Sequence, residues 1–395
     1  MKFKKILANF MAMVIMAGAV SSLAVDSAAA ADKKTEMRNM STMEIVGDMG
    51  IGINLGNTFE SCGEWIDKWG DGTPKAYETA WGSPVVTEDM IKGYKKAGFD
   101  TLRIPVGWSN LMSDDGKYTI SKAYMERVNE VVDWALDADL YVIINLHWDG
   151  GWLENIPTDF DECLKKYEAI WKQVAKNFKN YGDKLIFESQ NEELGWISVW
   201  NHYGGNKGKE ESYDYVNKIN QKFVDVVRKS GGNNGKRHLL ISGYNTDIEH
   251  TCDPLFKMPK DEAKRCAVSV HYYNPSTFAI LTEDASWGKA ASTWGTKADF
   301  AELDKQMDML KKTFVDKGIP VIIGEYGCPK ENKDEASVRR YLSKVCDSSL
   351  SRGGICPVLW DITGLHYDRD KYVVTDKTLQ KTLVGLKKKY SKKNK

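Results

Sequence analysis

Leu185-Ile186-Phe187-Glu188-Ser189-Gln190-Asn191-Glu192-Glu193 decides how the rest of the chain is read. It opens as a short apolar run of strand type and closes on an amide followed by two acids. A carboxylic acid just past a buried strand, beside an amide, is where a barrel enzyme keeps a proton donor. Pro320-Val321-Ile322-Ile323-Gly324-Glu325-Tyr326 repeats the pattern far downstream. Either acid alone reads best as a solvated carboxylate after a strand. Together, Glu192 and Glu325 form a candidate catalytic pair.

Outward from these two runs, similar short apolar segments occur at 51–54, 101–105, 141–146, 238–242, 267–272 and 357–361. With 185–188 and 320–324 they make eight strand candidates. They are continuous rather than alternating, as parallel strands covered on both faces should be. Helical periodicity lies between most of them, at 121–138 (with Ser121 available as N-cap), 161–181, 212–229, 297–317 and 335–350, and a further helix closes the chain at 376–390. The link 243–265 is turn-rich and only weakly helical. This alternation predicts an α/β fold of the (β/α)8 TIM-barrel type, with function on the loops that follow the strands.

Polar residues sit at those strand ends. Strand one ends in Asn54-Leu55-Gly56-Asn57, strand two contains Arg103, and strand three ends in His147-Trp148-Asp149. Strand four ends in Asn191-Glu192, strand six in His271-Tyr272-Tyr273, strand seven in Glu325 and strand eight in Trp360-Asp361. Each has a bland reading. Arg103 could bridge the barrel bottom, and His147 or His271 could be satisfied core histidines. Convergence on one face is what the bland readings leave unexplained.

The remaining sequence bounds the problem. Lys2, Lys4 and Lys5, an apolar run from Ile6 to Val20, and Ala28-Ala29-Ala30-Ala31 read as a secretory signal peptide over residues 1–31. The apolar run is too short for a membrane span, which needs about 20 residues. Residues 32–390 are expected to form one catalytic domain, followed by a Lys-rich tail at 391–395. Without the leader, 52 basic face 54 acidic residues, which gives no electrostatic case for a nucleic-acid partner or an anionic surface. The seven cysteines lack metal-type spacing; Cys252 and Cys266 could close a local loop, and free buried thiols are equally compatible. No metal site and no cofactor are expected.

Thirteen Trp and eighteen Tyr are many, and ten Trp fall in the loops after strands, among them Trp65, Trp69, Trp108, Trp200, Trp287 and Trp294. Aromatic faces suit the C–H faces of pyranose rings, whereas Trp134 and Trp171 fit helix cores. Two carboxylates, an Arg, two His, a Tyr and stacking Trp fit glycoside hydrolysis, in which one carboxylic acid protonates the leaving oxygen and a second carboxylate attacks or assists at the anomeric carbon. Arg103 would supply a cation beside Glu325. A less polar pocket would let Glu192 hold its proton.

The chain resembles glycoside hydrolase family 5, in clan A, and most of all its subfamily 4 of endo-β-1,4-glucanases and xyloglucanases. The matching pieces include Gly52-Ile53-Asn54-Leu55-Gly56-Asn57-Thr58, Leu102-Arg103-Ile104-Pro105-Val106, Ile143-Ile144-Asn145-Leu146-His147, Asn191-Glu192, Val270-His271-Tyr272-Tyr273 and Ile323-Gly324-Glu325-Tyr326-Gly327. The resemblance implies Glu192 as acid/base, Glu325 as nucleophile and Asn191 on the sugar 2-hydroxyl. It places Arg103, His271 and Tyr273 around the nucleophile, His147 in the same subsite, Trp360 as the sugar platform and Asn57 on the glycone side. Two positions depart from the family's habit. Trp148 stands where many members carry His, which bears on substrate fit. Glu193 stands where many carry Pro, and is expected to turn outward. The leader implies a secreted, extracellular protein, expected to be a monomer, and the resemblance implies an enzyme acting on β-glucan by double displacement. No carbohydrate-binding module or dockerin segment is seen. Mannanase or xylanase activity is the neighbouring alternative, and a non-catalytic glucan-binding barrel a more remote one.

Overall fold

The computed structural model describes residues 34–194 and 200–391; the expected leader, Trp196 and residues 392–395 lie outside them. Eight strands close into a barrel in sequence order, every neighbouring pair parallel. They are β1 (Gly52–Asn54), β2 (Thr101–Ile104), β3 (Tyr141–Ile144), β4 (Leu185–Glu188), β5 (Leu239–Ser242), β6 (Cys266–Tyr272), β7 (Val321–Tyr326) and β8 (Ile355–Leu359). Ring closure is made by Gly52 and Ile53 of β1 against Val358 and Leu359 of β8. The fold is the expected (β/α)8 TIM barrel.

Helices Lys122–Asp137, Phe160–Asn177, Lys209–Lys229, Lys297–Thr313, Glu335–Ser351 and Lys377–Ser391 fall where periodicity placed them. Ser121 occupies the N-cap position of the first, but its side chain makes no capping bond. The weakly helical link holds a 3-10 turn, Tyr244–Thr246, and the short helix Ile248–Thr251. The helix Glu88–Ala97 was not anticipated, although its signals are clear: Thr87 Oγ accepts from the Met90 amide, and Gly98 ends it at φ 101°, a conformation glycine adopts without strain. Trp171 locks Phe160–Asn177 onto β4, its ring centroid 5.7 Å from Phe187 and 4.6 Å from Phe223. Truncating such a buried ring to alanine costs roughly 3–5 kcal/mol. All seven cysteines are free thiols. Among the described residues, no helix is long and apolar enough to cross a membrane.

Side chains inside the barrel form their own small core. Ile143, Ile186, Leu240, Ile322 and Val358 pack there with Ile45, Val46 and Met49. The last three come from the helix Thr42–Asp48 and its end, which plug the amino-terminal mouth; a capping box between Ser41 and Glu44 starts that helix. With this mouth plugged, the carboxyl ends of the strands are left to carry the site.

One irregularity aims a candidate catalytic residue. Val321 and Ile323 belong to the outer core against the helices, whereas Ile322 faces the barrel interior. Strict alternation would send Glu325 outward as well. The β6–β7 register instead runs Val270↔Ile323 and then His271↔Glu325, leaving Gly324 as the extra residue of a bulge. The bulge turns Glu325 inward beside His271. Glu325 therefore lies within β7, one residue from its end, rather than just past it.

Candidate active site

Arg103 is the hub. It is fully buried, and its guanidinium spends four hydrogen bonds on four side chains. Nε donates to Glu188 Oε2 at 2.7 Å, Nη1 to Glu325 Oε1 at 2.7 Å and to Asn54 Oδ1 at 3.0 Å, and Nη2 to Asn191 Oδ1 at 3.0 Å. A planar fork with fixed donors can orient all four partners, which a lysine ammonium could not. Arg103 is thus no bridge across the barrel bottom.

Glu325 receives a second bond, from the Tyr273 hydroxyl to Oε2 at 2.9 Å. Burial, and then the charge of Glu325, push the Tyr273 phenol well above its ordinary value, so it remains a donor. Asn191 has its oxygen committed to Arg103, which leaves its Nδ2 to donate elsewhere. Asn54 donates to the carbonyls of Gly324 and Leu359 at 2.9 and 3.2 Å, tying β1 to β7 and β8 under the site.

Glu192 behaves differently from the sequence expectation. Its side chain is 44% exposed, and its Oε1 lies 2.6 Å from His271 Nδ1. Burial of the group raises its pKa, but the hydrogen bond and charge of His271, with Arg103 behind it, outweigh that and hold the carboxyl below its ordinary value. For His271, burial lowers and the charges of Glu325 and Glu192 raise, with a net upward shift. Both shifts run in the direction that favours the imidazole over the carboxyl as holder of the pair's proton. An apolar pocket does not hold it on Glu192. His271 Nδ1 is also 3.7 Å from Glu325 Oε2. Donor atoms of Glu192, His271 and Glu325 all lie within 4.8 Å of one another, so the two carboxylates approach that closely and the trio has the donor set to hold a metal ion.

His147 and Trp360 form the adjoining wall, their rings stacked at 10° with centroids 5.9 Å apart. Asn145 Oδ1 accepts from the Val106 amide, which turns its Nδ2 to His147 Nδ1 at 3.3 Å. Burial lowers the His147 pKa to about 3, so the ring is neutral and carries its hydrogen on Nε2. Trp360 lies on Gly56, where a Cβ would come within 2.9 Å of the indole. The same β1 loop carries Asn57, at φ 55°, its amide held by buried Glu60. Arg369 stitches this loop to β8: it donates to Thr58 Oγ1 at 3.1 Å, Ser83 Oγ at 2.6 Å and the Asp361 carbonyl at 3.1 Å.

Trp148 is exposed on the rim. It is the central residue of a γ-turn of positive φ (43°), closed by the Asp149 amide on the His147 carbonyl, a strained arrangement of the kind found beside active sites. Its indole packs over Gly151. Asp149 is buried and accepts from Ser109 N, Ser109 Oγ and Trp152 Nε1, each at 2.7 Å, which fixes the loop.

Bonds thus join Arg103, Asn191, Glu192, His271, Tyr273 and Glu325; stacking adds His147 and Trp360; Asn57 and Trp148 lie on flanking loops. Sequence reasoning missed Glu188, fully buried between Arg103 and Ser269 Oγ at 2.6 Å. The signal was present: Glu188 is two residues past inward-facing Ile186. It also missed Arg369. Of the loop tryptophans, Trp108, Trp200 and Trp294 are buried packing residues.

Glu193 corrects an expectation outright. It is buried rather than turned outward, because its carbonyl is held by the Asn245 amide and its carboxyl faces the β3 loop. Burial, then the charges of Glu154, Glu192 and Asp149, raise its pKa from 4.5 to about 8. Between those two pH values the folded chain keeps a proton that the unfolded chain has lost, so stability falls as pH rises through this window and levels off above it. Glu193→Gln is expected to flatten that slope, gaining up to a few kcal/mol on the wild type at pH 8 and little at pH 4.5. Denaturant midpoints of both proteins across this range decide it; parallel pH profiles would rule out a buried neutral Glu193.

A family model described as cellulase (glycosyl hydrolase family 5) matches residues 66–365. Endoglucanase A of Paenibacillus barcinonensis is 35% identical over 388 residues, covering 91% of each chain. The xyloglucan-specific endo-β-1,4-glucanase BoGH5A of Bacteroides ovatus is 39% identical over 305 residues, 75% of this chain and 59% of that protein. Among solved structures, a GH5-4 broad-specificity endoglucanase from an uncultured bovine rumen ciliate superimposes with TM-score 0.80 at 36% identity, over 89% of this chain and 99% of the other.

Proposed function

Since the chain belongs to glycosyl hydrolase family 5 and is a glycoside hydrolase, we propose that it cleaves internal β-1,4-glucosidic bonds of a β-glucan with retention of configuration. Glu192 serves as acid/base and Glu325 as nucleophile. The observation that carries the stereochemistry is the approach of the two carboxylates to within 4.8 Å. Retaining enzymes keep the pair at about 5–5.5 Å, and inverting enzymes need roughly 6.5–9.5 Å to admit a water.

In the first displacement a Glu325 oxygen attacks the anomeric carbon while Glu192 protonates the departing oxygen. The proton comes from the His271–Glu192 pair, in which both shifts favour the imidazole. It passes across the 2.6 Å contact to Glu192 as the glycosidic oxygen arrives. Arg103 and Tyr273 hold the attacking carboxylate in line, and Asn191 Nδ2 is placed to donate to the sugar 2-hydroxyl. Esterification removes the Glu325 charge, the main influence raising His271. Glu192 is then freed to take a proton from water in the second displacement, which restores the β-anomer.

Relatives support a β-1,4-linked glucan: the Bacteroides ovatus enzyme is specific for xyloglucan, and a mutant of a Caldicellulosiruptor sp. F32 lichenase is held in complex with cellotetraose. The amino-terminal leader pattern supports secretion. Proton NMR of the first product from a soluble β-glucan is expected to show the β-anomer, with viscosity falling well before reducing ends accumulate. An initial α-anomer would remove Glu325 as nucleophile even if both acids prove essential.

A further inference from the structure

Among the described residues, every exposed large aromatic side chain is on a connection leaving the carboxyl end of a strand: Trp65, Trp69 and Trp81 after β1, Trp148 after β3, Tyr203 after β4 and Trp287 after β6. Scattered exposed apolar residues are ordinary. Segregation of all of them to the catalytic face is not, because the outer helices present far more surface on which to scatter them.

Trp65 and Trp69 carry the strongest case. They stand four residues apart on the helix Glu64–Trp69, hence on one side of it. The helix is anchored, not loose. Ile66 is buried, Tyr77 donates to Asp67, and the Gly70 amide caps the Ile66 carbonyl at 2.8 Å. Its buried apolar contact is thus made by Ile66, and the two indoles are left to solvent. Trp65 folds back over Gly63, where a Cβ would lie 2.7 Å from Nε1, so its ring is held. Trp69 is 81% exposed. Between them Lys68 pairs with Glu64 at 2.9 Å, so the one cation of the helix is already matched by a carboxylate. The segment is continuous with the candidate cleft at both sides. Asn57 precedes it on the same connection, and Cys62 accepts from the Gly150 backbone of the loop that carries Trp148.

We propose that Trp65 and Trp69 form a second glucan-contact site, outside the cleft, that holds the enzyme on insoluble β-glucan. An uncharged polymer whose sugar rings expose C–H faces matches flat, fixed, uncharged indole surface. A polyanionic polymer would call for cations that the patch lacks. The proposal rests on the glucanase reading above.

The test uses the full chain and its Trp65→Ala/Trp69→Ala variant. Three quantities are measured on each: depletion from solution onto amorphous cellulose, kcat/KM on a soluble cello-oligosaccharide, and Tm. Loss of two aromatic contacts is expected to lower the partition constant about tenfold. Turnover of the oligosaccharide stays within about twofold, and Tm falls by no more than a few degrees, since Trp69 is solvent-facing and Trp65 is half-buried. Unchanged adsorption overturns the site. A parallel fall in oligosaccharide kcat/KM also overturns it, by placing the two residues in the cleft. A wild-type enzyme that turns over the oligosaccharide but does not adsorb defeats the docking site alone; one that does neither defeats the glucanase reading with it.

Discussion

Glu325→Gln is expected to leave roughly one part in 10⁴ of the turnover, a loss of about 5.4 kcal/mol of transition-state stabilisation at 1.36 kcal/mol per decade. The substitution is nearly isosteric. The amide oxygen can keep the Arg103 bond, and the amide nitrogen can donate to the Tyr273 hydroxyl, so both present partners stay satisfied. What disappears is the attacking carboxylate. The loss should fall on kcat and kcat/KM together, since the interaction is made in the transition state. Far-UV circular dichroism and Tm should match the parent. A folded Gln variant with near-normal turnover would take Glu325 out of the mechanism.

Arg103→Met is expected to strike stability rather than chemistry alone. It strands Glu188, which is fully buried and would retain only the Ser269 hydroxyl, and it removes one of two bonds to Glu325. Breaking a buried ion pair from one side costs about 3–5 kcal/mol, a large share of the 5–15 kcal/mol that holds a typical domain folded. The pairing with Glu188→Gln separates the causes. The double variant should recover most of the lost stability, because the orphaned charge is gone, and none of the activity, because Asn191 and Glu325 remain unaligned. Denaturant unfolding of the single and double variants measures both. A single variant within about 1 kcal/mol of wild type would show that Arg103 is not the hub its four bonds suggest.

Much of this arrangement was legible from residue order. Parallel strands covered on both faces are short and apolar, so all eight could be counted, and a barrel then sends the polar strand-end residues to one place. Three features were not legible, each for a physical reason. The bulge at Gly324 is a property of pairing between β6 and β7, and no pattern within either strand reports it. The inward turn of Glu193 depends on the Asn245 amide and on the loop bearing Asp149 and Glu154, contacts remote in sequence. The electrostatics of Glu192 were misjudged because its partner, His271, is 79 residues away, and a local view of Glu192 cannot weigh an imidazole against burial. Composition likewise could not sort Trp65 and Trp69 from Trp108 and Trp294, since exposure is decided by what the rest of the fold places over each ring.

The seam between β1 and β8 has a consequence for how the molecule comes into being. Asn54 donates to the Leu359 carbonyl across 305 residues of chain, a stretch that a ribosome takes roughly 15–60 s to make. For that interval β1 presents an unpaired edge to whatever is nearby, and for the part of it between Glu188 and Glu325 Arg103 has its first carboxylate partner without the second. The nascent polypeptide can collect its first seven strands and still own neither a closed ring nor a platform at Trp360. Ring closure and the Trp360 platform therefore come together, once β8 has been made, and the waiting edge of β1 is where a chaperone or a neighbouring nascent chain would meet the polypeptide first.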